Sequence, residues 1–96
     1  MIPVRSPTVE RFNNQVFVIG GCRGPKEHIQ EVQVFTSSDG LEQDEHNSWQ
    51  IHPSLKLNKS RSCHMSTIVG HNLYVMGGWN GYECLDSVEK ANLMDP

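Results

Sequence analysis

This 96-residue sequence lacks long hydrophobic runs and an excess of basic residues, and each absence excludes a class of protein. Its longest apolar runs are only a few residues, whereas a membrane-spanning helix needs about 20. The first twelve residues, MIPVRSPTVERF, also lack the apolar core of a secretory signal. Lys and Arg number 8 against 11 Asp and Glu, a formal net charge of −3, so no basic surface for phosphate groups is predicted. We therefore expect neither a membrane nor a nucleic acid as partner.

Cysteine and apolar residues are also scarce. The three cysteines are an odd number without CxxC spacing, which favours reduced thiols in the cytoplasm or nucleus over a disulfide framework: Cys22, Cys63 and Cys84. Only 36% of residues are hydrophobic, and a chain of this length buries a modest share of its surface. One small domain of marginal stability is expected.

What the sequence does contain is an internal repeat. The doublet Gly20-Gly21 recurs as Gly77-Gly78, 57 residues later. A compact apolar run precedes each doublet, QVFVI at 15–19 and NLYVM at 72–76. A short loop follows each doublet, and then a second strand-like stretch begins.

The repeat predicts seven strands and no helix, since no segment of helical length keeps a 3.6-residue period. We expect the strands at about 8–12, 15–20, 29–36 and 48–52 in the first copy, and at 65–69, 72–76 and 85–91 in the second. The apolar residues of the inner strands are consecutive rather than alternating. Both faces of these strands should therefore be covered, as in stacked sheets.

These residues resemble the kelch repeat, which forms one four-stranded blade of a β-propeller. The shared pattern is an apolar strand, a diglycine, a loop, a valine followed by Glu or Gln, an aromatic residue and then tryptophan. The matching positions are Gly20, Gly21, Val32, Phe35 and Trp49 in the first copy, and Gly77, Gly78 and Val88 in the second. Arg61 stands at the basic position that often opens such a repeat. The resemblance implies an all-β partial propeller, with a complete blade at 1–57 and three strands of a second at 58–96, which lacks the fourth, Trp-bearing strand.

Two features depart from the family pattern. Ala91 stands where an aromatic residue is usual, and the 57-residue period exceeds the roughly 50 residues of the family. The excess is expected in the polar, acidic segment 36–48, which is read as a solvated hairpin tip.

Glycine in the doublets has a physical explanation. Without a Cβ it permits positive φ and close approach of neighbouring backbones. A side chain at either position of a doublet is expected to clash with the adjacent strand.

One blade and part of a second cannot close a ring, because repeat units bury their faces against neighbours. We therefore expect this sequence to be a fragment of a larger propeller. Alternatively, copies associate through their exposed strand edges.

The residues that could carry chemistry are better explained as ordinary strand and loop residues. GGCRGP and GGWNGY lack the Lys-Ser/Thr or GxGxxG pattern of a phosphate site. Cys63 and His64 are adjacent and so point to opposite faces of a strand, unlike a nucleophile and its base. No catalytic, cofactor or metal residue is predicted. An oxidase-type propeller enzyme, like galactose oxidase with its copper, is the remote alternative.

Protein binding through the loops is what the resemblance implies. Trp79 and Tyr82 are residue types enriched in binding hot spots; the alternative is that they cover the blade below them. The candidate contact residues are Arg23, Arg61, Ser62, Trp79, Asn80 and Tyr82. The resemblance favours a cytoplasmic adaptor, with nuclear or cytoskeletal location as alternatives, whose propeller captures a substrate for a cullin-type ubiquitin ligase. An actin-binding scaffold is the alternative binding role.

Overall fold

The computed structural model describes residues 2–36 and 49–94, and these form nine β-strands and no helix. The predicted all-β class is confirmed. No helix in these two ranges is long and apolar enough to cross a membrane. The strands are β1 Thr8–Phe12, β2 Gln15–Ile19, β3 Cys22–Gly24, β4 Glu27–His28, β5 Glu31–Thr36, β6 Gln50–Lys56, β7 Met65–Val69, β8 Asn72–Met76 and β9 Val88–Asn92.

The strands form two main antiparallel sheets. Sheet one has the order β1-β2-β5-β6, and sheet two has the order β7-β8-β9. A two-residue turn with positive φ at Asn13 closes the first hairpin, and Gly70 closes its equivalent in sheet two. A short ribbon of β3 and β4 lies in the connection between β2 and β5.

Two strands begin later than the sequence predicts, because backbone groups at their predicted starts form hydrogen bonds with residues that are not in the neighbouring strand. Ile29 N–H donates to Gly21 O, so β5 begins at Glu31 rather than at residue 29. Leu85 N–H likewise donates to Gly78 O, and β9 begins only at Val88 rather than at residue 85. The ribbon of β3 and β4 was not predicted.

The fourth strand of sheet one also differs from its predicted limits. β6 continues past Pro53 to Lys56, because Lys56 pairs with Glu31 beyond an irregularity in the ladder. At that irregularity Nδ1 of His52 accepts the N–H groups of Ser54 and Leu55. Proline is tolerated there because β6 is an edge strand of the described sheet. The predicted start of this strand at residue 48, and most of the acidic segment 36–48, lie outside the described residues.

The two sheets pack face to face around one core. Because side chains alternate along a strand, each sheet has two faces. We call the front face of sheet one the side that carries Thr8, Glu10, Phe17, Ile19, Val32 and Val34. It packs on the back face of sheet two, which carries Ser66, Ile68, Leu73, Val75, Glu89 and Ala91. Leu55 and Leu57 complete the core cluster.

The backbone itself repeats with the period seen in the sequence. Positive φ angles occur in pairs 57 residues apart: Ser6 and Cys63 at 54°, Asn13 and Gly70 at 57° and 64°, Gly20 and Gly77 at 64° and 71°, and Gly21 and Gly78 at 106° and 101°. Such angles are uncommon outside glycine. The repeat is therefore a property of the main chain and not only of composition. The division into units at residue 57 stays a prediction.

Candidate functional site

Three connections meet at the diglycine end of the two sheets. They are the β2–β5 connection, the β8–β9 connection and the segment 58–64, which we call the second opening segment. The first opening segment is its counterpart in the first repeat, residues 2–7. The ring of Tyr82 has the Nζ of Lys26 5.7 Å from its centroid, so the first two connections touch. Ser62 Oγ lies 2.9 Å from Nδ1 of His28, which joins the opening segment to the first connection. Loops of both repeats therefore contact each other at this end.

The diglycines make room for the opening segments. A Cβ at Gly20 would lie 2.7 Å from Arg61 O, and one at Gly78 would lie 2.7 Å from Ser62 O. Gly21 N–H donates to Arg61 O at 2.8 Å, so the first doublet holds the start of the second repeat. The predicted clash therefore holds at these positions. At Gly77 it is wrong, because the nearest atom to an added Cβ is Leu85 O at 3.7 Å; only the positive φ favours glycine there.

Arg61 is a structural residue and not a surface contact, which corrects the expectation from sequence. Its side chain is wholly buried, at 0% relative exposure. Nη1 donates to the carbonyls of Gly77 and Ser87, and Nη2 donates to Ser87 Oγ and to a Glu89 carboxylate oxygen. Arginine suits such a site because its planar fork carries several donors. The guanidinium therefore holds the end of β8 against the start of β9.

Ser62 is likewise buried, so its expected surface role does not fit its position. Its backbone exchanges N–H···O bonds of 2.9 Å with Trp79, and its hydroxyl meets His28. Arg5 and Cys22, 57 residues earlier, exchange the same pair of backbone bonds. Ser62 thus fixes the β8–β9 connection from inside.

Two residues that sequence reasoning left out hold the opening segments in place. Gln33 Oε1 accepts the N–H of Ile2 at 2.6 Å, and its Nε2 donates to Ile2 O at 3.0 Å. Glu89 accepts the N–H groups of Asn58 and Lys59 in the second repeat. The signal was present in the sequence, because both residues follow the repeated valine as the Glu or Gln of the pattern.

The remaining candidate residues lie at the surface of this end. Tyr82 is 72% exposed and Trp79 is 40% exposed. Arg23 is exposed and lies 3.6 Å from Glu27 in a solvent-accessible ion pair. Asn80 has a structural part as well, since its Oδ1 accepts the N–H groups of Tyr82 and Glu83 and shapes the turn beneath the tyrosine.

Two clefts open beside the 79–85 loop. One, of about 380 Å³, is lined by Arg5, Ser6, Cys22, Pro25, His28, Ser62, Cys63 and Trp79. The other, of about 420 Å³, is lined by Gln30, Asn58, Lys59, Ser60, Asn80, Glu83 and Leu85. The 79–85 loop therefore contributes Trp79 to one cleft, and Asn80, Glu83 and Leu85 to the other, more polar one.

The residues that match the repeat pattern have different surroundings in the two sheets. Phe35 and Trp49 are brought together, with ring centroids 5.5 Å apart in a tilted arrangement. Val32 is buried in the core, whereas Val88, in the same register in sheet two, is 62% exposed. The front face of sheet two has no second sheet on it within the described residues, so its valine meets solvent.

His64 occupies the crowded space between the diglycines. Its Nε2 lies 3.0 Å from Thr8 Oγ1, and its atoms would lie within about 3 Å of a Cβ at Gly20 or Gly78. Burial is the main cause that lowers the pKa of His64, and the Arg61 charge lowers it further; the neighbouring Ile19 backbone and the Glu89 charge raise it. Because β7 begins at Met65, neither His64 nor the exposed Cys63 lies in a strand, contrary to the prediction.

The described residues contain no group of three or more His, Cys, Asp or Glu side chains placed to hold a metal ion. The thiols of Cys22, Cys63 and Cys84 are free.

Comparison with known proteins places a family motif on the second repeat. Residues 60–90 match the kelch motif, and this segment includes Arg61, the second diglycine and Glu89. A search of the curated proteins found no match. Kelch repeats are generally non-enzymatic modules that mediate protein–protein binding. Residues 60–90 therefore match a kelch motif, and the antiparallel all-β architecture of the described residues is consistent with partial kelch blades.

Proposed function

We propose that the chain binds a protein partner through the diglycine-end loops, with Tyr82, Trp79, Lys26 and Arg23 as the contact residues. The observation that carries the proposal is the exposure of Tyr82. Its relative solvent exposure is 72%, and the backbone of its loop is held by hydrogen bonds to Asn80. A large aromatic side chain left in solvent on an ordered turn forms a contact at little further entropic cost.

The charges around Tyr82 indicate what kind of surface would fit. Lys26 lies over its ring, and the Arg23 guanidinium is exposed on the same connection. Aromatic and Arg residues are the types most enriched in binding hot spots. A partner that offers an apolar group flanked by carboxylates would satisfy both.

The finer proposal is that the captured protein is a substrate for a cullin-type ubiquitin ligase and that binding takes place in the cytoplasm. Its support is the resemblance of the repeats to those of adaptor propellers. Actin binding, the other role that the resemblance allows, is tested in the same experiment.

The experiment compares capture of proteins from a cell extract by immobilised chain with capture by Tyr82→Ala and Lys26→Glu variants. The captured amount of a protein that contacts both side chains should be at least tenfold lower with each variant than with wild type. His71→Ala, which changes an exposed side chain at the opposite hairpin, is the matched control and should leave capture unchanged.

Three arms then distinguish the roles. Captured proteins that become ubiquitinated in a cullin-dependent manner would support the adaptor role. Co-sedimentation of the chain with actin filaments, lost in Tyr82→Ala, would support the scaffold role. Capture that survives both substitutions would contradict the proposed surface.

A further inference from the structure

The packing of the two sheets follows a directional rule, because the front face of one repeat lies on the back face of the next. Each face therefore has a counterpart at the other end of the chain. The front face of sheet two and the back face of sheet one are both left without a sheet partner within the described residues. We propose that these two faces bind each other between copies of this chain, so that copies associate head to tail.

The front face of sheet two is largely apolar and open. Registered pairing places Met65, Met76 and Val88 in one row and Thr67, Tyr74 and Lys90 in the next. Met65, Val69 and Val88 are 69%, 62% and 62% exposed. Most of the large hydrophobic side chains that the described chain exposes lie on this face or on its counterpart. Exposed apolar patches of this kind mark interaction surfaces.

The back face of sheet one matches it in character. One row across all four strands consists of Val9, Val18, Gln33 and Ile51. Val9 and Ile51, at its two ends, are 59% and 52% exposed, whereas Val18 and Gln33 between them are buried. The next row carries Arg11, Val16 and Phe35.

The opening segment at Ile2 lies over the middle of this face, where it hydrogen-bonds Gln33, and leaves Val9 and Ile51 at the two ends of the row exposed. It binds Gln33 in the way that Lys59 binds Glu89 on the back face of sheet two. That second segment coexists with the docked front face of sheet one inside the chain. The equivalent segment can therefore coexist with a docked second copy.

The polar groups also permit the contact. Inside the chain, Ser66 Oγ donates to Glu10 at 2.6 Å where β7 lies against β1. The equivalent pair between copies is Val9 and Thr67, which buries no unpaired charge. Lys90 and Arg11 lie on outer strands, β9 and β1, which would stack at opposite sides of the contact. Their long side chains can keep their charges in water.

This contact is heterologous, since it joins two different faces, and that property gives a decisive test. Val88→Asp places a charge on the front face only, and Val9→Asp places one on the back face only. Each variant alone lacks one of the two faces that every contact requires. Mixed together, they retain one intact front face and one intact back face.

The measurement is sedimentation velocity over a hundredfold concentration range. Wild type should show mass that rises with concentration above 10.9 kDa. Each variant alone should remain monomeric, and an equimolar mixture should give a species of twice the monomer mass and nothing larger. Asp86→Lys, an exposed charge change in the β8–β9 connection, should associate like wild type.

Every other outcome contradicts the proposal. A monomeric wild type would show that the faces do not bind. Association of Val9→Asp alone would indicate a symmetric front-to-front dimer, and association of both variants would indicate pairing through strand edges. Unfolding of a variant is excluded by the mixture, because an unfolded copy cannot restore the dimer.

Discussion

The guanidinium of Arg61 donates a 2.8 Å hydrogen bond to the carboxylate of Glu89, and the arginine side chain is wholly buried. The same carboxylate also accepts the backbone N–H groups of Asn58 and Lys59. Glu89 therefore holds the backbone at residues 58 and 59, which leads into the second repeat, and also the side chain of Arg61.

Replacing Glu89 by alanine should strongly destabilise the fold. The substitution leaves the buried Arg61 charge without its counter-charge, although its bonds to Gly77 and Ser87 remain, and breaking a buried ion pair in this way typically costs about 3–5 kcal/mol. Glu89→Gln should cost less, because glutamine fills the equivalent position at Gln33 and holds Ile2 there. Urea unfolding measures both changes. Glu83→Ala, at an exposed side chain, is the control and should stay within about 0.5 kcal/mol of wild type.

The two glycines of the second doublet should differ in their tolerance of alanine. Gly77→Ala meets only the cost of positive φ, about 1–2 kcal/mol. Gly78→Ala adds a contact of 2.7 Å with Ser62 O, and an overpacked site costs about 1–3 kcal/mol more. Thermal and urea unfolding of both variants check the order. Equal losses at the two positions would mean that backbone crowding is not what selects Gly78.

Acidification should destabilise the protein through His64. Its pKa is lowered in the folded state, mainly by burial, so below pH 6.5 the unfolded chain binds a proton that the folded chain does not. The free energy of unfolding should fall as the pH drops through 6.5, by at most about 1.4 kcal/mol per pH unit, until it passes the lowered pKa. Urea unfolding between pH 7.5 and 5 measures this slope.

His64→Gln removes the titrating group and should flatten part of that profile. A remaining slope is expected from His52, whose pKa burial also lowers. A slope for His64→Gln as steep as that of wild type would contradict the assignment.

Asn80 should order the loop that presents Tyr82. Asn80→Ala removes the acceptor of two backbone N–H groups, a loss of roughly 1 kcal/mol of local stability. Asn80→Asp keeps an acceptor oxygen in the same place and is the matched comparison. Amide hydrogen exchange of Tyr82 and Glu83 should accelerate in the alanine variant only.

The fold class and most strand positions could be predicted because they depend on local pattern. A diglycine after an apolar run, and a hairpin turn before it, indicate a strand from a short stretch of sequence without any knowledge of tertiary contacts. Strand boundaries were less predictable where they depend on a hydrogen bond to a residue outside the strand. The start of β5 depends on the bond from Ile29 N–H to Gly21 O, and the extension of β6 depends on the pairing of Lys56 with Glu31.

The site was harder to predict, because burial is a property of the assembled sheets. Arg61 and Ser62 resemble loop residues in the sequence, yet both lie beneath the β8–β9 connection. Tyr82 and Trp79 were identified from residue type, and the structure leaves both partly in solvent. Their contact with a partner stays a prediction.

The bond from Gly21 N–H to Arg61 O has a consequence for how the chain melts. It joins the end of the first sheet to the second opening segment, which leads into the second sheet, so we expect the two halves to unfold together. Trp49 reports on the first half and Trp79 on the second. Their fluorescence should change at one shared denaturant midpoint, and cutting the chain after residue 57 should leave two pieces without a cooperative transition.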